Sequence, residues 1–249
     1  YFALDTESCT VTLMCDIVEV RTMTANPTGL RSITKISKDQ YILNETGEVK
    51  DYQHGENRAC NVSSLKQTFS KIRHYINNNF TGAKNELFVT LTYAENMTDV
   101  KRLYRDIDVF MKRLKRRFPG IEYFLVVEPQ ARGAWHCHIL LKDTSCIILY
   151  IPISEMDRLW GHGWSTTKRL NHCDNIGAYL SAYLADIELS EYINLTGVPD
   201  HIEIRDVEMR DENGSLVSKR MVKGGRCYLY PSGMNIFRHS RGIVPPSSE

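Results

Sequence analysis

The chain reads as an α+β fold, a central antiparallel sheet with flanking helices, and three observations predict it. An apolar, β-branched run over 87–93 is followed by a long stretch of helical periodicity from about 98 to 118. Two further apolar runs, 121–128 and 134–141, flank Pro129-Gln130-Ala131-Arg132-Gly133 in the manner of a hairpin. Helical patterns then resume near Ser154 and again over 175–188. Strand, long helix, hairpin and helix in that order point to an antiparallel sheet of ferredoxin-like or RRM-like topology.

The remaining elements follow in order. Residues 11–22, rich in Val, Ile and Thr, read as one strand ending before the turn-prone Asn26-Pro27-Thr28-Gly29. Residues 44–60 are polar and loop-like. Leu65, Phe69, Ile72 and Ile76 mark a helix capped by Ser63 or Ser64 and stopped by Thr81-Gly82. In the long central helix Thr98 is the expected cap, and Val100, Leu103, Ile107, Met111, Leu114 and Phe118 form the apolar stripe. Lys101, Arg102, Arg105 and the Lys112–Arg117 cluster occupy its other faces, either as a solvated surface or as a nucleic-acid contact. Asp174 or Asn175 caps the 175–188 helix, and residues 202–230 look β-rich, with Glu212-Asn213-Gly214 as a hairpin turn.

At 249 residues the chain can bury a sizeable core, and it reads as one domain over 1–243. That domain has a motif core at about 85–190, an N-terminal extension over 1–84 and a β-rich part over 200–243, followed by a loose tail at 244–249. Lys and Arg number 31 against 30 Asp and Glu, so any polyanion must be met by a local basic patch and not by the global field. The 7 cysteines are odd in number and lack C-x-x-C spacing, which argues against a disulfide framework and for a reducing compartment. No secretory leader or membrane span is visible, and the chain, beginning at Tyr1, reads as a piece of a longer protein.

The chemistry concentrates in the hairpin. Side chains alternate along a strand, so His136 and His138 share a face that Cys137 does not. A hairpin centred on Arg132 pairs positions summing to 264, which sets Glu128 opposite His136 on that face. Two imidazoles and one carboxylate leave coordination positions open for water and substrate, the requirement of a catalytic metal site. The mixed donor set suits Mg²⁺ or Mn²⁺ bound together with a phosphate. Downstream, Tyr179 and Tyr183 stand at i and i+4 of the expected helix, on one face and about a turn apart. They read either as a nucleophile pair or as core residues.

These motifs together resemble the HUH endonucleases, specifically the rolling-circle replication initiators of phages, plasmids and related mobile elements. Phe88-Val89-Thr90-Leu91-Thr92-Tyr93 matches that family's first motif. Glu128, His136 and His138 match the second, with Cys137 as the intervening hydrophobe, and Tyr179 and Tyr183 match the third. The resemblance covers about 85–190, and the stretch Arg226–Gly242 is similar to the C-terminal part of Firmicute-type initiators. One departure is the Lys often found three residues after the nucleophile, since Ala182 follows Tyr179 at that distance and Asp186 follows Tyr183.

The resemblance implies sequence-specific nicking and joining of single-stranded DNA through a covalent 5′-phosphotyrosine, starting and terminating rolling-circle replication. Glu128, His136 and His138 would hold Mg²⁺ or Mn²⁺, Tyr179 or Tyr183 would attack, and Thr90 and Thr92 would support the site. It further implies single-stranded DNA at a replication origin, presented as a hairpin, with host helicase and polymerase as partners, no membrane, and the cytoplasm of a bacterial host. Trp135, Tyr228, Tyr230 and Phe237, interleaved with Lys219, Arg220, Lys223, Arg226, Arg238 and Arg241, read either as a patch that stacks bases and neutralises phosphates or as part of a partly buried C-terminal β-sheet. Three alternatives stand beside this: a relaxase or transposase using the same chemistry, a non-haem iron facial triad, and a non-catalytic RRM-like nucleic-acid-binding module.

Overall fold

The computed structural model describes residues 8–23, 32–52, 55–170, 176–177, 180, 186–196, 204–210 and 216–247. Its centre is a five-stranded antiparallel sheet built from β6 (Glu86–Tyr93), β7 (Ile121–Pro129), β8 (Trp135–Asp143), β9 (Gly163–Lys168) and β13 (Phe237–His239), in the order β13-β7-β8-β6-β9. Helix α2 (Val100–Arg117) joins β6 to β7 and α3 (Ile153–Trp160) joins β8 to β9. Each crossover brackets a strand of the other unit, which is the βαββαβ arrangement of ferredoxin-like sheets. The α+β expectation therefore holds.

Strand alternation divides this sheet into two chemically different faces. Leu87, Val89, Leu91 and Tyr93 of β6, with Cys137, Ile139 and Leu141 of β8, are buried on the face that α2 and α3 cover. The Tyr93 hydroxyl donates to Asp106 of α2, and the rings of Tyr93 and Phe110 pack edge-on against Trp160 of α3. Asp99 caps α2, accepting from the backbone N–H groups of Lys101 and Arg102. The expected cap, Thr98, instead gives its carbonyl to the Trp135 indole N–H.

The other face carries Phe88, Thr90 and Thr92 opposite Leu140, His138 and His136. Helix α1 (Val62–Asn79) covers part of it, with Tyr75 packed on Phe124, Phe237 and His239. Its cap is Asn61, whose side chain accepts from Ser64 N–H, and not a serine. The run 11–22 is not one strand but a hairpin of β1 (Ser8–Met14) and β2 (Ile17–Met23), with Cys15 turned to φ 42°. This hairpin docks on α1 through Cys15 Sγ to the Asn78 carbonyl and through Glu19 to Arg73.

Two further small antiparallel sheets lie among the described residues. Strands β3 (Ile33–Lys35), β4 (Gln40–Leu43) and β5 (Val49–Asp51) form one, so the stretch read as loop contributes a short strand and, at Arg58–Cys60, a 3-10 turn. Strands β10 (Ile187–Glu188), β11 (Ile204–Arg210) and β12 (Leu216–Val222) form the other, with β12 central. Ile187 and Glu188, expected as helix, thus pair with β12, and a separate helix α4 (Leu189–Thr196) follows. The pairing of β11 with β12 fits the expected hairpin, whose Glu212-Asn213-Gly214 turn lies outside the described residues. So do Asp174 and Asn175, while Ile176, Gly177 and Leu180 are helical.

Val244, at the start of the stretch read as a loose tail, exchanges backbone hydrogen bonds with the Asn79 side chain. The 6 described cysteines are free. No helix among the described residues is long and apolar enough to cross a membrane.

One buried carboxyl group ties the site-bearing strand to the end of α1. Glu86 is fully buried, and its Oε2 accepts from the backbone N–H groups of Thr81, Gly82 and Ala83 at 3.0, 2.8 and 3.2 Å. Lys142 Nζ stands 3.3 Å from Oε1. A Glu86→Ala variant leaves three donors unmatched, so it is expected to lose about 3 kcal/mol of stability, read as a lower urea midpoint at unchanged slope.

Candidate metal centre

Three strands in register assemble the cluster. Glu128 of β7 lies directly opposite His136 of β8, as the 264 rule requires, and His136 and His138 pair with Thr92 and Thr90 of β6. One ligand atom from each of Glu128, His136 and His138 lies within 4.8 Å of the others. Glu128 and His138 are 2% and 3% exposed, while His136 is half-buried at the edge of the cluster.

The hydrogen bonds define each group. His138 Nε2 stands 2.5 Å from Glu128 Oε2, and its Nδ1 lies 3.1 Å from Thr90 Oγ1, so the ring is held from both ends. Phe88 stacks on that ring at 5.6 Å. The Gln130 side-chain amide stands 3.3 Å from His136 Nδ1. No hydrogen bond is made by Thr92 Oγ1 among the described residues, and its place beside His136 rests on strand pairing.

Electrostatics favour neutral imidazole beside ionised carboxylate. Burial pushes His136 down to about 4, against the opposing pull of Glu128, so near neutrality its ring is uncharged. Burial alone would raise Glu128; the hydrogen bond from His138 and the charges of His138, Arg226 and His136 outweigh it and hold the carboxyl below its ordinary value. His136 Nε2 is buried and has no hydrogen-bond partner among the described residues. A neutral imidazole with an unmatched buried nitrogen, beside a second imidazole and a carboxylate, fits a divalent cation.

Arg226 brings a fixed positive charge to this cluster. Its Nη1 stands 3.1 Å from Glu128 Oε1 and donates to the Pro129 carbonyl, while its Nε donates to the Asp186 carbonyl. Expected as a phosphate contact, Arg226 divides the labour of Glu128: Oε1 faces the guanidinium and Oε2 faces His138. Asp186, three residues after Tyr183, accepts from Arg205 and from the Gly224 N–H. The roles of Gln130 and Arg226 at the cluster escape sequence reading. Gln130 carries a faint signal, two residues from Glu128 at the hairpin end.

The other expected contacts scatter. Tyr179 and Tyr183 lie outside the described residues. Around them, Ile176 and Leu180 are buried in the core, and Gly177 N–H donates to Asn77 Oδ1 of α1. Trp135 is 3% exposed and faces away from the histidines, on the α2 side. Arg238 also falls on that side, opposite Leu125, where it lies over the Tyr104 ring and pairs with Asp108. Tyr228 packs edge-on against Tyr192. Lys219 pairs with Glu188, and Arg220, Lys223 and Arg241 are exposed. Tyr230 is buried, its hydroxyl donating to the Val127 carbonyl, and Phe237 stacks on Phe124. The basic residues of α2 lie across the sheet from the cluster, and Arg102, Arg105, Arg113 and Arg117 are engaged with neighbouring acids or carbonyls.

No curated protein and no solved structure matches the chain. A family model described as replication-associated protein ORF2 matches residues 86–188, fewer than half of the chain, a span that runs from the first strand of the central sheet through the Glu128–His136–His138 cluster and both tyrosines. That segment is similar to replication-associated proteins, which is consistent with a rolling-circle replication initiator.

Proposed function

We propose that the chain nicks and rejoins single-stranded DNA by transesterification onto a tyrosine, starting and terminating rolling-circle replication. The observation that carries this reading is the Glu128–His136–His138 cluster, set in register on one sheet face inside the segment similar to replication-associated proteins.

In this reading Glu128, His136 and His138 hold Mg²⁺ or Mn²⁺. A cation held there would supply positive charge where the transition state of phosphoryl transfer builds up negative charge. Thr90 and Glu128 fix the His138 ring, and Arg226 holds the second carboxylate oxygen of Glu128. Tyr179 or Tyr183 gives up its phenol proton and attacks phosphorus. The new bond joins the tyrosine oxygen to the 5′-phosphate, the bond to the 3′-oxygen breaks, and that oxygen takes up a proton. An incoming 3′-hydroxyl reverses the exchange and closes the strand without ATP, because each step trades one phosphodiester for another. The substrate is single-stranded DNA at an origin, presented as a hairpin, with strand opening left to a host helicase and synthesis to a host polymerase.

The test is incubation with a labelled single-stranded oligodeoxynucleotide library and Mn²⁺, followed by denaturing gels and intact mass. A covalent adduct is expected, absent with EDTA and absent from the Tyr179→Phe/Tyr183→Phe double variant. A library that is bound but never joined to protein would sink the nuclease reading.

A further inference from the structure

We infer that Trp164 is a base-stacking platform for single-stranded DNA at the open edge of the sheet face that carries the cluster. The inference rests on the function proposed above and adds a binding site to it.

Strand β9 pairs with β6 so that Trp164 lies opposite Thr92, Thr166 opposite Thr90 and Lys168 opposite Phe88. Directly paired residues share a face. Across the next two strands Thr92 meets His136, and His136 meets Glu128. Trp164, Thr92, His136 and Glu128 thus form one row on one face. Two interstrand spacings of ~4.8 Å put Trp164 about 10 Å from His136 along that row. The nucleotide beside a phosphate held at the cluster can lay its base on this ring.

Exposure separates this face of β9 from the other. Ser165 is buried, its hydroxyl donating to Asp157, whereas Trp164 and Lys168 are exposed and Thr166 is open too. Trp164 is 50% exposed, while Trp135 and Trp160 are 3% and 0% exposed, and both of their indole N–H groups donate to backbone carbonyls. No ring contact or hydrogen bond engages the Trp164 side chain among the described residues. A half-bare indole has one flat apolar face to offer, and Lys168 four residues along supplies positive charge on the same strip. Unpaired bases meeting a ring beside a cation is the pattern of sequence-tolerant single-strand binding. This strip of β9 carries no acidic side chain, which fits a polyanion.

Gly163 sets this register. A Cβ there would stand 2.2 Å from the Thr92 carbonyl oxygen, so only glycine lets β9 begin so close to β6 and bring Trp164 into line with the cluster.

The test uses the full chain in EDTA, which separates binding from any chemistry. Oligothymidylate binding is followed by anisotropy and by intrinsic tryptophan emission. Wild type is expected to bind with quenching, Trp164→Ala to bind about tenfold or more weakly without it, and Trp164→Phe to recover most of the affinity. Because the side chain is half-exposed and makes no polar contact with a described residue, circular dichroism of the variants should match wild type. Equal affinity of wild type and Trp164→Ala, with no quenching, overturns the platform even if adducts form with Mn²⁺. Tighter binding of oligouridylate than oligothymidylate overturns the assignment to DNA. No binding of any single strand, together with no adduct, overturns the proposed function and the platform together.

Discussion

His136→Ala is expected to abolish the stabilisation that Mn²⁺ gives the protein while leaving the metal-free fold nearly as stable as before, and Glu128→Ala is expected to weaken the fold itself. The contrast follows from what each side chain leaves behind. His136 is half-buried, with an Nε2 unmatched among the described residues, so its removal orphans little and changes metal-free stability by about 1 kcal/mol at most. Removing Glu128 strands two groups, the Arg226 guanidinium and the His138 imidazole, and breaking a buried pair from one side costs about 3–5 kcal/mol. Wild type at a hundredfold excess of Mn²⁺ over its Kd should gain about 2.7 kcal/mol, a rise of about 5–10 °C in Tm for a chain of this size. Both variants should lose that rise. Calorimetric melting with and without Mn²⁺ reads all of these quantities, and a His136→Ala protein that keeps the full metal-dependent rise would remove His136 from the ligand set.

The cluster was legible because its geometry is local. A hairpin centred on Arg132 needs only strand alternation to set Glu128 against His136, and the pairing of β7 with β8 obeys it. The same alternation also governs Trp135, which has the parity of Cys137 and so turns to the helix-covered face. A stacking role for Trp135 conflicts with the rule that pairs the histidines. Trp164 could not be placed in this way, because its face depends on β9 pairing with β6, some seventy residues earlier in the chain. Arg238 and Arg226 escaped for the same reason: β13 pairs with β7, and the turn after β12 reaches Glu128, only through long-range folding.

Local propensity also misled in two places. The Val- and Ile-rich run from 11 to 22 carries no Gly or Asn to announce a turn, yet Cys15 and Asp16 make one, because hairpin formation lets β1 and β2 pair with each other and dock on α1. The helical pattern over 175–188 runs on through Ile187, where pairing with Val222 overrides it. In both cases tertiary pairing, absent from any short window of sequence, decides the backbone.

Gly177→Ala is expected to lower the rate of adduct formation by about a hundredfold while leaving Mn²⁺ binding and overall fold intact. Gly177 stands two residues before Tyr179, and an added Cβ would fall 2.6 Å from both the Arg73 carbonyl oxygen and Asn77 Oδ1 of α1. The carbonyl belongs to the middle of a helix and cannot yield, so the segment carrying the tyrosines must move away by a fraction of an ångström to an ångström. Its Gly177 N–H to Asn77 Oδ1 hydrogen bond of 2.8 Å would lengthen with it. Misplacing a reacting group by about 1 Å costs on the order of a hundredfold in rate. Glu128, His136 and His138, the residues proposed to hold Mn²⁺, stand on β7 and β8 and should be untouched, so the Mn²⁺-dependent rise in Tm should remain. Single-turnover kinetics at saturating oligonucleotide distinguish the outcomes. A slowed chemical step at unchanged metal affinity supports the close approach of Gly177 to α1 as the device that positions the proposed nucleophile. An unchanged rate would mean that α1 does not set where the tyrosine acts.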